Sequence, residues 1–311
     1  MVANQAQGEA WTAYNGDCVR TLSEFPDDCV DISVYSPPYS SLYTYSAHIE
    51  DMGNVANDAE FFKAYAHLVR EKLRVTRPGR LSCIHVKDRR YYRSQSADGD
   101  AGILPFSDDC VRVHIEAGWS YVSRVTIWRD PVNERAKTNA HSLLWKTFQK
   151  DSSFCGVGMP EYLLVFRKWA NPGDPGVVPV VHPKEDVPLA VWQELASPVW
   201  NYRPGQSGKG DYNLPTTDTL NVRVAKDEKA EKHICPMPLN IIRNALSLWS
   251  NPGDVVLSPF MGIGSEGVAA LGMGRRFVGV ELNEIYFAQA CGYLRAAEAG
   301  GQQMGLLEGV M

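Results

Sequence analysis

Two short stretches of the chain carry residue types that could do chemistry, and they lie more than two hundred positions apart. The later one, D-V-V-L-S-P-F-M-G-I-G-S-E-G, holds Gly262, Gly264 and Gly267 in a G-x-G-x-x-G pattern between a strand-like and a helix-like segment. Glycines there let a ligand approach the backbone, and the acidic Glu281 ends the next strand-like segment, 19 positions past Gly262. A carboxylate so placed accepts hydrogen bonds from ribose hydroxyls, so the pair reads as a nucleoside site; a tight turn followed by a surface glutamate is the plain alternative. The earlier stretch, Ser36-Pro37-Pro38-Tyr39, breaks the run D-I-S-V-Y. Two successive prolines fix φ and remove amide donors, so this loop is pre-set and presents carbonyls rather than N–H groups. By itself it also reads as a strand-terminating turn.

The surrounding sequence says which elements must hold these stretches. Asp31 to Tyr35 is a short β-branched run that reads as a buried strand ending in a rigid loop. Residues 57–76 carry apolar side chains at helical spacing (Phe61, Phe62, Tyr65, Leu68, Val69, Leu73), Arg77-Pro78-Gly79 is a stop signal, and Leu81 to Val86 reads as the next strand. A helix over Phe106 to Ala117 follows, then strands over Tyr121 to Trp128 and Glu161 to Phe166. Helices alternating with strands predict a parallel or mixed sheet wrapped on both faces. From Trp169 to Lys232 the periodicity gives way to Asn-Pro-Gly, Asp-Pro-Gly and Arg-Pro-Gly-Gln-Ser-Gly-Lys-Gly, the composition of a loop-rich insert or small second domain. Within it, Trp200, Arg203 and the glycine-rich stretch from Pro204 to Gly210 read either as a tip that enters a groove or as a disordered one. Order returns with a helix from Pro238 to Trp249, a strand from Asp254 to Leu257, the loop from Ser258 to Ser265, a helix from Glu266 and a strand from Arg276 to Glu281. Only 30 residues remain after Glu281, so the strands that complete the sheet must come from upstream, and the two halves stand in permuted order.

A chain of 311 residues, 44% hydrophobic and 22% charged, can bury a large core and is neither disordered, collagenous nor a coiled coil. Its seven cysteines are scattered singly with no C-x-x-C, which argues against a disulfide framework or a zinc site, and its histidines show no metal spacing and no pairing with a nucleophile. The N-terminus lacks the basic flank and apolar core of a leader, and no apolar run approaches membrane-spanning length. The expectation is a cytoplasmic, reduced protein with no membrane contact and no metal. A net charge of −5 excludes a uniformly basic nucleic-acid binder, because counterion release needs clustered Lys and Arg. Two clusters do exist: Lys87, Arg89, Arg90 and Arg93 with Tyr91 and Tyr92, then Arg129, Arg135, Lys137, Lys146 and Lys150. Each reads as a phosphate-tracking loop or as a solvated surface, and the rest of the chain is correspondingly more acidic.

Taken together, Ser36-Pro37-Pro38-Tyr39 and the downstream S-P-F-M-G-I-G-S resemble the amino-methyltransferases of DNA. More narrowly they resemble the permuted β class, in which the catalytic motif precedes the cofactor motif, and stand-alone methylases of phages and prophages. Gly16-Asp17-Cys18, Arg77-Pro78-Gly79-Arg80, Glu161-Tyr162 through Arg167-Lys168, and His233-Ile234-Cys235-Pro236-Met237-Pro238 carry the likeness further. It covers most of Asn15 to Lys168 and His233 to Ala290. The resemblance implies a doubly wound, mostly parallel, Rossmann-like α/β sheet, circularly permuted, with 1–168 as the catalytic half, 169–232 as a target-recognition insert and 233–311 as the cofactor half.

The family's chemistry explains these residues. An exocyclic amine has its lone pair delocalised into the ring, so the enzyme must draw that nitrogen toward sp³ geometry. The resemblance implies that the Ser36 side chain and the Pro37 carbonyl accept the two N–H hydrogens, Pro38 stiffens the loop, and Tyr39 stacks on a base flipped out of the duplex. It puts S-adenosylmethionine in the glycine loop, with Phe260, Gly262 and Gly264 beside it, Ser258, Pro259 and Ser265 in the same segment, and Glu281 on the ribose. Asp17 would meet the adenine edge, and Cys235 and Pro236 would flank the methionine end. One departure stands out: Ser258 occupies the place of the family's more usual Asp, which would face the cofactor's ammonium group, so that task is either lost or moved to another acid. Ser at the first catalytic position leans toward cytosine N4, with adenine N6 open. Transfer to cytosine C5 would need a Pro-Cys nucleophile, which is absent, and a zinc deaminase would need metal ligands. An NAD(P)-dependent oxidoreductase built on the glycine pattern and a non-catalytic DNA-binding relic are the readings from other classes. The expected partners are DNA and, as a monomer or homodimer, at most a second copy of the chain.

Overall fold

The computed structural model describes residues 4–39, 52, 57–131, 144–183, 186–201, 218–220 and 236–308, with the backbone alone for residues 95 and 301–308. The chain begins with a hairpin that the sequence did not announce. Strand β1 (Asn4–Gln7) pairs antiparallel with β2 (Trp11–Asn15), and the Ala10 amide and Trp11 indole donate to Glu298 at 2.8 and 3.3 Å. These strands are short, and the first is exposed, so their period is weak in the sequence.

Helix α1 (Cys18–Ser23) leads to β3 (Val30–Tyr35), which is buried along its whole length, as a central parallel strand covered on both faces must be. Helix α2 (Asp58–Val75) starts where the Asn57 side chain accepts the Glu60 amide, and carries Asp58 and Glu60 in its first turn and Lys72 and Arg74 in its last. Arg77-Pro78-Gly79 does not separate this helix from the next strand as expected. Thr76 is already extended and opens β4 (Thr76–Val86), so helix passes directly into strand.

The basic loop after β4 is partly ordered as a small hairpin, β5 (Arg89–Tyr91) against β6 (Gly102–Leu104). Helix α3 (Phe106–Glu116), β7 (Ser120–Ile127), helix α4 (Trp145–Lys150) and β8 (Glu161–Arg167) follow. Within the loop-rich segment the described residues include helix α5 (Leu189–Leu195) and a two-residue strand, β9 (Val199–Trp200), which joins the edge of the main sheet beside β7. The last quarter is α6 (Leu239–Trp249), β10 (Val255–Ser258), α7 (Ser265–Gly272), β11 (Arg276–Glu281) and α8 (Glu284–Glu308).

The nine strands of the main sheet run in the order β1-β2-β11-β10-β3-β4-β8-β7-β9. Its centre is parallel, and β8 runs antiparallel between β4 and β7. One apolar core, with Ile32, Val34, Ile242, Leu246, Val256 and Phe277, lies on one face; a second, with Tyr35, Phe61, Tyr65, Phe106 and Phe166, lies on the other. The sheet is therefore doubly wound, and β10 sits beside β3 although it follows it by more than two hundred residues.

A buried ion-pair cluster fixes that junction at the end of the strands away from the loops. Arg80 on β4 donates to Asp31 at 3.1 Å and to both oxygens of Asp254 at 2.9 Å, and the second Asp31 oxygen accepts the Val255 amide at 2.9 Å. Three distant segments are tied by groups that are all at least nearly buried. Among the described residues no helix is long and apolar enough to cross a membrane.

Candidate active site

From β10 the chain passes through α7 to β11 on one side; from β3 it passes through α2 to β4 on the other. The boundary between β10 and β3 is thus the point where the winding reverses, and in open α/β sheets the crevice at the C-terminal ends of such strands is where ligands bind. Both chemically suggestive stretches leave the sheet there. Tyr35, which precedes Ser36, and Phe260, on the glycine loop, bring their rings to 5.9 Å at a tilt of 43°.

The glycine loop is built around Glu281. Gly262 and Gly264 hold φ of +51° and +91°, left-handed backbone that favours glycine, and Gly264 is the residue on which α7 starts. The Gly262 amide donates to one Glu281 oxygen at 2.9 Å and the Asn283 amide to the other at 2.8 Å. A side chain on Gly262 would project into space that, its chain neighbours aside, no atom of the described residues fills within 4 Å. Gly16 donates to the Glu281 carbonyl at 3.0 Å, which brings Asp17 to the same rim; there one Asp17 oxygen caps α1 by accepting the Arg20 amide at 2.8 Å. Ser258 and Ser265 are buried, and neither hydroxyl has a partner among the described residues. Unsatisfied hydroxyls, an open left-handed turn and an anchored carboxylate together fit a polar nucleoside ligand.

The Ser36 loop is held by His85, which the sequence did not single out, and through it by Glu161 and Arg129. Ser36 donates its hydroxyl hydrogen to the His85 carbonyl at 2.7 Å, with His85 Nδ1 3.4 Å from the same oxygen. His85 Nε2 lies 2.9 Å from Glu161, which also takes an ion pair from Arg129. Burial would raise the Glu161 carboxyl, but the hydrogen bond and charge of His85 and then the Arg129 guanidinium hold it well below the usual carboxylate range. An ionised Glu161 only accepts, so His85 carries its hydrogen on Nε2 toward it, and in neutral His85 Nδ1 is an acceptor facing Ser36. The sequence pairs no histidine with a nucleophile; in the fold His85 lies against the Ser36 hydroxyl. The signal available in the sequence was a lone histidine at the C-terminal end of an apolar strand, in C-I-H-V; that it lies next to Ser36 depends on the β3–β4 register.

Behind the loop, Lys72 is fully buried and donates to Tyr35 Oη at 2.7 Å and Ser82 Oγ at 2.6 Å, with Tyr65 Oη 2.6 Å from Tyr35 Oη; burial pushes the Lys72 ammonium well down. Pro37 is buried and Pro38 half-buried. Tyr39 packs its ring at 5.5 Å from Phe106.

The basic clusters resolve into two kinds of residue. Arg89 and Arg129, expected to track phosphates, are internal: Arg89 pairs with Asp58 and donates to the Tyr39 carbonyl at 3.3 Å, and Arg129 pairs with Glu161. Their charges are neutralised inside the fold and shape the Ser36 loop instead. Arg90 is half-buried with its Nε 3.0 Å from Met159 Sδ, Lys87 is half-buried, and Arg93, Lys146 and Lys150 are exposed. Arg135, Lys137, Arg203 and Cys235 lie outside the described residues; Pro236 is half-buried ahead of α6. Trp200, read as a residue able to enter a groove, is 3% exposed and packs in the core, 6.5 Å from Trp249. Among the described residues no three His, Cys, Asp or Glu side chains are placed to hold a metal ion.

The sequence model of a family described as DNA methylase, covering the N6 and N4 methyltransferases, matches residues 30–291. Over 292 residues, 89% of this chain and 80% of the relative, the chain is 25% identical to the DNA adenine methyltransferase YhdJ of Escherichia coli K12. A Thermus thermophilus protein assigned as a DNA modification methylase, solved with S-adenosyl-L-methionine, superposes with a TM-score of 0.63 at 22% identity, over 92% of this chain and 93% of that one. The cytosine-N4-specific PvuII DNA methyltransferase superposes with a TM-score of 0.62 at 12% identity, over 94% and 90%. At these identities the two superpositions show a shared fold.

Proposed function

The chain belongs to the N6/N4 family of DNA methylases, and from that premise we propose that it transfers the methyl group of S-adenosylmethionine to cytosine N4 in DNA. The observation that carries this reading is the meeting of the Ser36 loop and the glycine loop at one switch point, through the Tyr35–Phe260 contact. S-adenosylmethionine supplies an electrophilic methyl group when bound. Gly262, Gly264, Phe260 and Glu281 would hold it, with Ser258, Pro259, Ser265, Asp17, Cys235 and Pro236 around it.

The chain's own part is acceptance and orientation. With its hydrogen committed to the His85 carbonyl, Ser36 offers lone pairs to the base amine, and the Pro37 carbonyl offers a second acceptor. Two acceptors draw the amine out of conjugation and fix its direction, contributions of orientation and electrostatics rather than of covalent catalysis. Tyr39, braced by Phe106 and by Arg89 on its carbonyl, stacks on the extruded base. As the amine loses a proton, Ser36 can take it once its hydroxyl hydrogen turns from the His85 carbonyl to Nδ1, 3.4 Å away; where His85 is neutral, that hydrogen passes to Nδ1 and Glu161 stabilises the imidazolium so formed.

Serine rather than aspartate at position 36 supports cytosine. Adenine N6 is the second reading, favoured by the adenine methyltransferase likeness across most of the chain. The order of the catalytic strand before the cofactor strand supports the permuted class. We read 1–168 and 233–311 as the two halves of one catalytic unit and 169–232 as the target-recognition segment, with Arg93, Arg90 and Lys87 on the DNA side. Mass spectrometry of nucleosides from DNA treated with the protein and cofactor tests the reading. N4-methylcytosine is expected, N6-methyladenine moves the assignment to the second base, and neither product overturns it.

A further inference from the structure

Lys72 lies in the last turn of α2 with its whole side chain buried, and among the described residues no carboxylate pairs with it. Its Nζ donates to Tyr35 Oη at 2.7 Å and to Ser82 Oγ at 2.6 Å, and Tyr35 Oη lies 2.6 Å from Tyr65 Oη. Cys83, Cys110 and His114 are the other titratable groups around it. Burial pushes both thiols up, so neither supplies a negative charge. The surroundings therefore favour the neutral amine, which still has two hydrogens to donate. An apolar chain of the same length would fill this space with no desolvation cost, so packing alone gives no reason for a lysine here. What the lysine adds is direction, because a hydrogen-bonded polar chain inside a core fixes its members in one arrangement.

That direction falls on Tyr35. The residue ends β3, one peptide bond before Ser36, and its ring meets Phe260 of the glycine loop at 5.9 Å. Its hydroxyl is the middle of the chain Ser82–Lys72–Tyr35–Tyr65, which ties β4 and α2 to the end of β3. Lys72 Nζ also lies 4.1 Å from the centre of the Tyr35 ring, so the ring is held at its tip and on its face. Tyr35 thus belongs to both walls of the crevice: its backbone leads into the acceptor loop, and its ring abuts the cofactor loop. It is fully buried, and in a close-packed core a shift of its ring is passed on to both neighbours.

We propose that Lys72 is a positioning residue for methyl transfer, which by holding the Tyr35 hydroxyl fixes the spacing between the Ser36 loop and the Phe260 loop. Fully buried, it touches neither base nor cofactor and acts through Tyr35. This rests on the reading of those two loops as the base and cofactor sites. In-line transfer between two bound molecules depends steeply on their separation, so losing this bond slows the transfer step and leaves the binding of each molecule nearly unchanged.

Lys72→Met, an unbranched apolar replacement, and Tyr35→Phe, which removes only the hydroxyl, break the same bond from its two ends. Each is expected to slow single-turnover transfer of tritiated methyl from S-adenosylmethionine to unmethylated bacterial DNA by about tenfold or more, with both substrates saturating. Affinity for S-adenosylhomocysteine, measured by calorimetry, should stay within about twofold of wild type, which also shows that the variants are folded. The double variant should be no slower than the slower single one, because both changes remove one interaction. A wild-type rate in either single variant overturns the proposal. So does a loss confined to cofactor affinity, or a multiplied loss in the double variant, as two independent structural defects would give. Should Lys72→Met fail to fold, Tyr35→Phe at the wild-type rate still overturns it. A wild-type protein that binds S-adenosylhomocysteine yet methylates no DNA overturns the reading of the two loops instead, and the role of Lys72 falls with it.

Discussion

The Ser36 hydroxyl donates to the backbone carbonyl of His85 at 2.7 Å, and that bond leaves the serine only lone pairs to offer toward the crevice. Its acceptor role is thereby set by the neighbouring strand before any ligand arrives. Ser36→Ala is expected to lower single-turnover methyl transfer by about a hundredfold or more, on the scale of removing one preorganised transition-state group. Cofactor affinity, measured by calorimetry, should stay within about threefold. A variant that lost cofactor affinity but kept normal turnover at saturation would show that Ser36 belongs to the cofactor site instead.

Glu161 gives a pH signature. Its carboxyl is held below the usual range in the folded protein, so its contribution to stability is complete above the unfolded value of about 4.3 and is lost as pH falls through the lower folded value. The melting-temperature difference between the wild type and Glu161→Gln should shrink as pH falls below about 4. A difference that grew below about pH 4 would contradict the ion-pair account.

Gly262→Asp places a side chain, and a second negative charge, in the open space beside Glu281. Adenosylmethionine binding should be abolished in calorimetry while far-ultraviolet circular dichroism is retained, with a stability loss of about 1–3 kcal/mol for the left-handed backbone. Retained cofactor binding would place the ligand elsewhere.

Asp31 joins β3 to both Arg80 and the first residue of β10. Removing one partner of a buried pair leaves the other uncompensated, so Asp31→Ala should cost about 3–5 kcal/mol in urea unfolding. The cluster lies at the opposite end of the strands from the loops, so folded protein should keep its cofactor affinity.

The fate of the basic residues predicts two different phenotypes. Arg93 is exposed, and Arg93→Ala should reduce the slope of log affinity for DNA against log salt by about one, with turnover at saturation preserved. Arg89 is tied to Asp58 and Tyr39, so Arg89→Ala should lower turnover while the salt slope stays unchanged. An unchanged turnover in Arg89→Ala with a reduced salt slope would return Arg89 to the phosphate-contacting group.

The sequence alone determined what is local. The strand before Ser36, the helix over residues 58–75 and the strand, glycine loop, helix and strand around Gly262 are each written in contiguous residues, so their period and stop signals expose them. The missing acid at position 258 was legible for the same reason. Tertiary structure decided what depends on register across the sheet: that His85 lies against Ser36, that Glu161 joins His85 to Arg129, and that Arg89 turns inward. Side chains 31 to 76 residues apart, from Arg89–Asp58 to His85–Glu161, meet only when their elements align, and no spacing within one segment encodes that alignment. A polar side chain's partner is therefore a property of the fold, while its position on a strand or helix is a property of the chain.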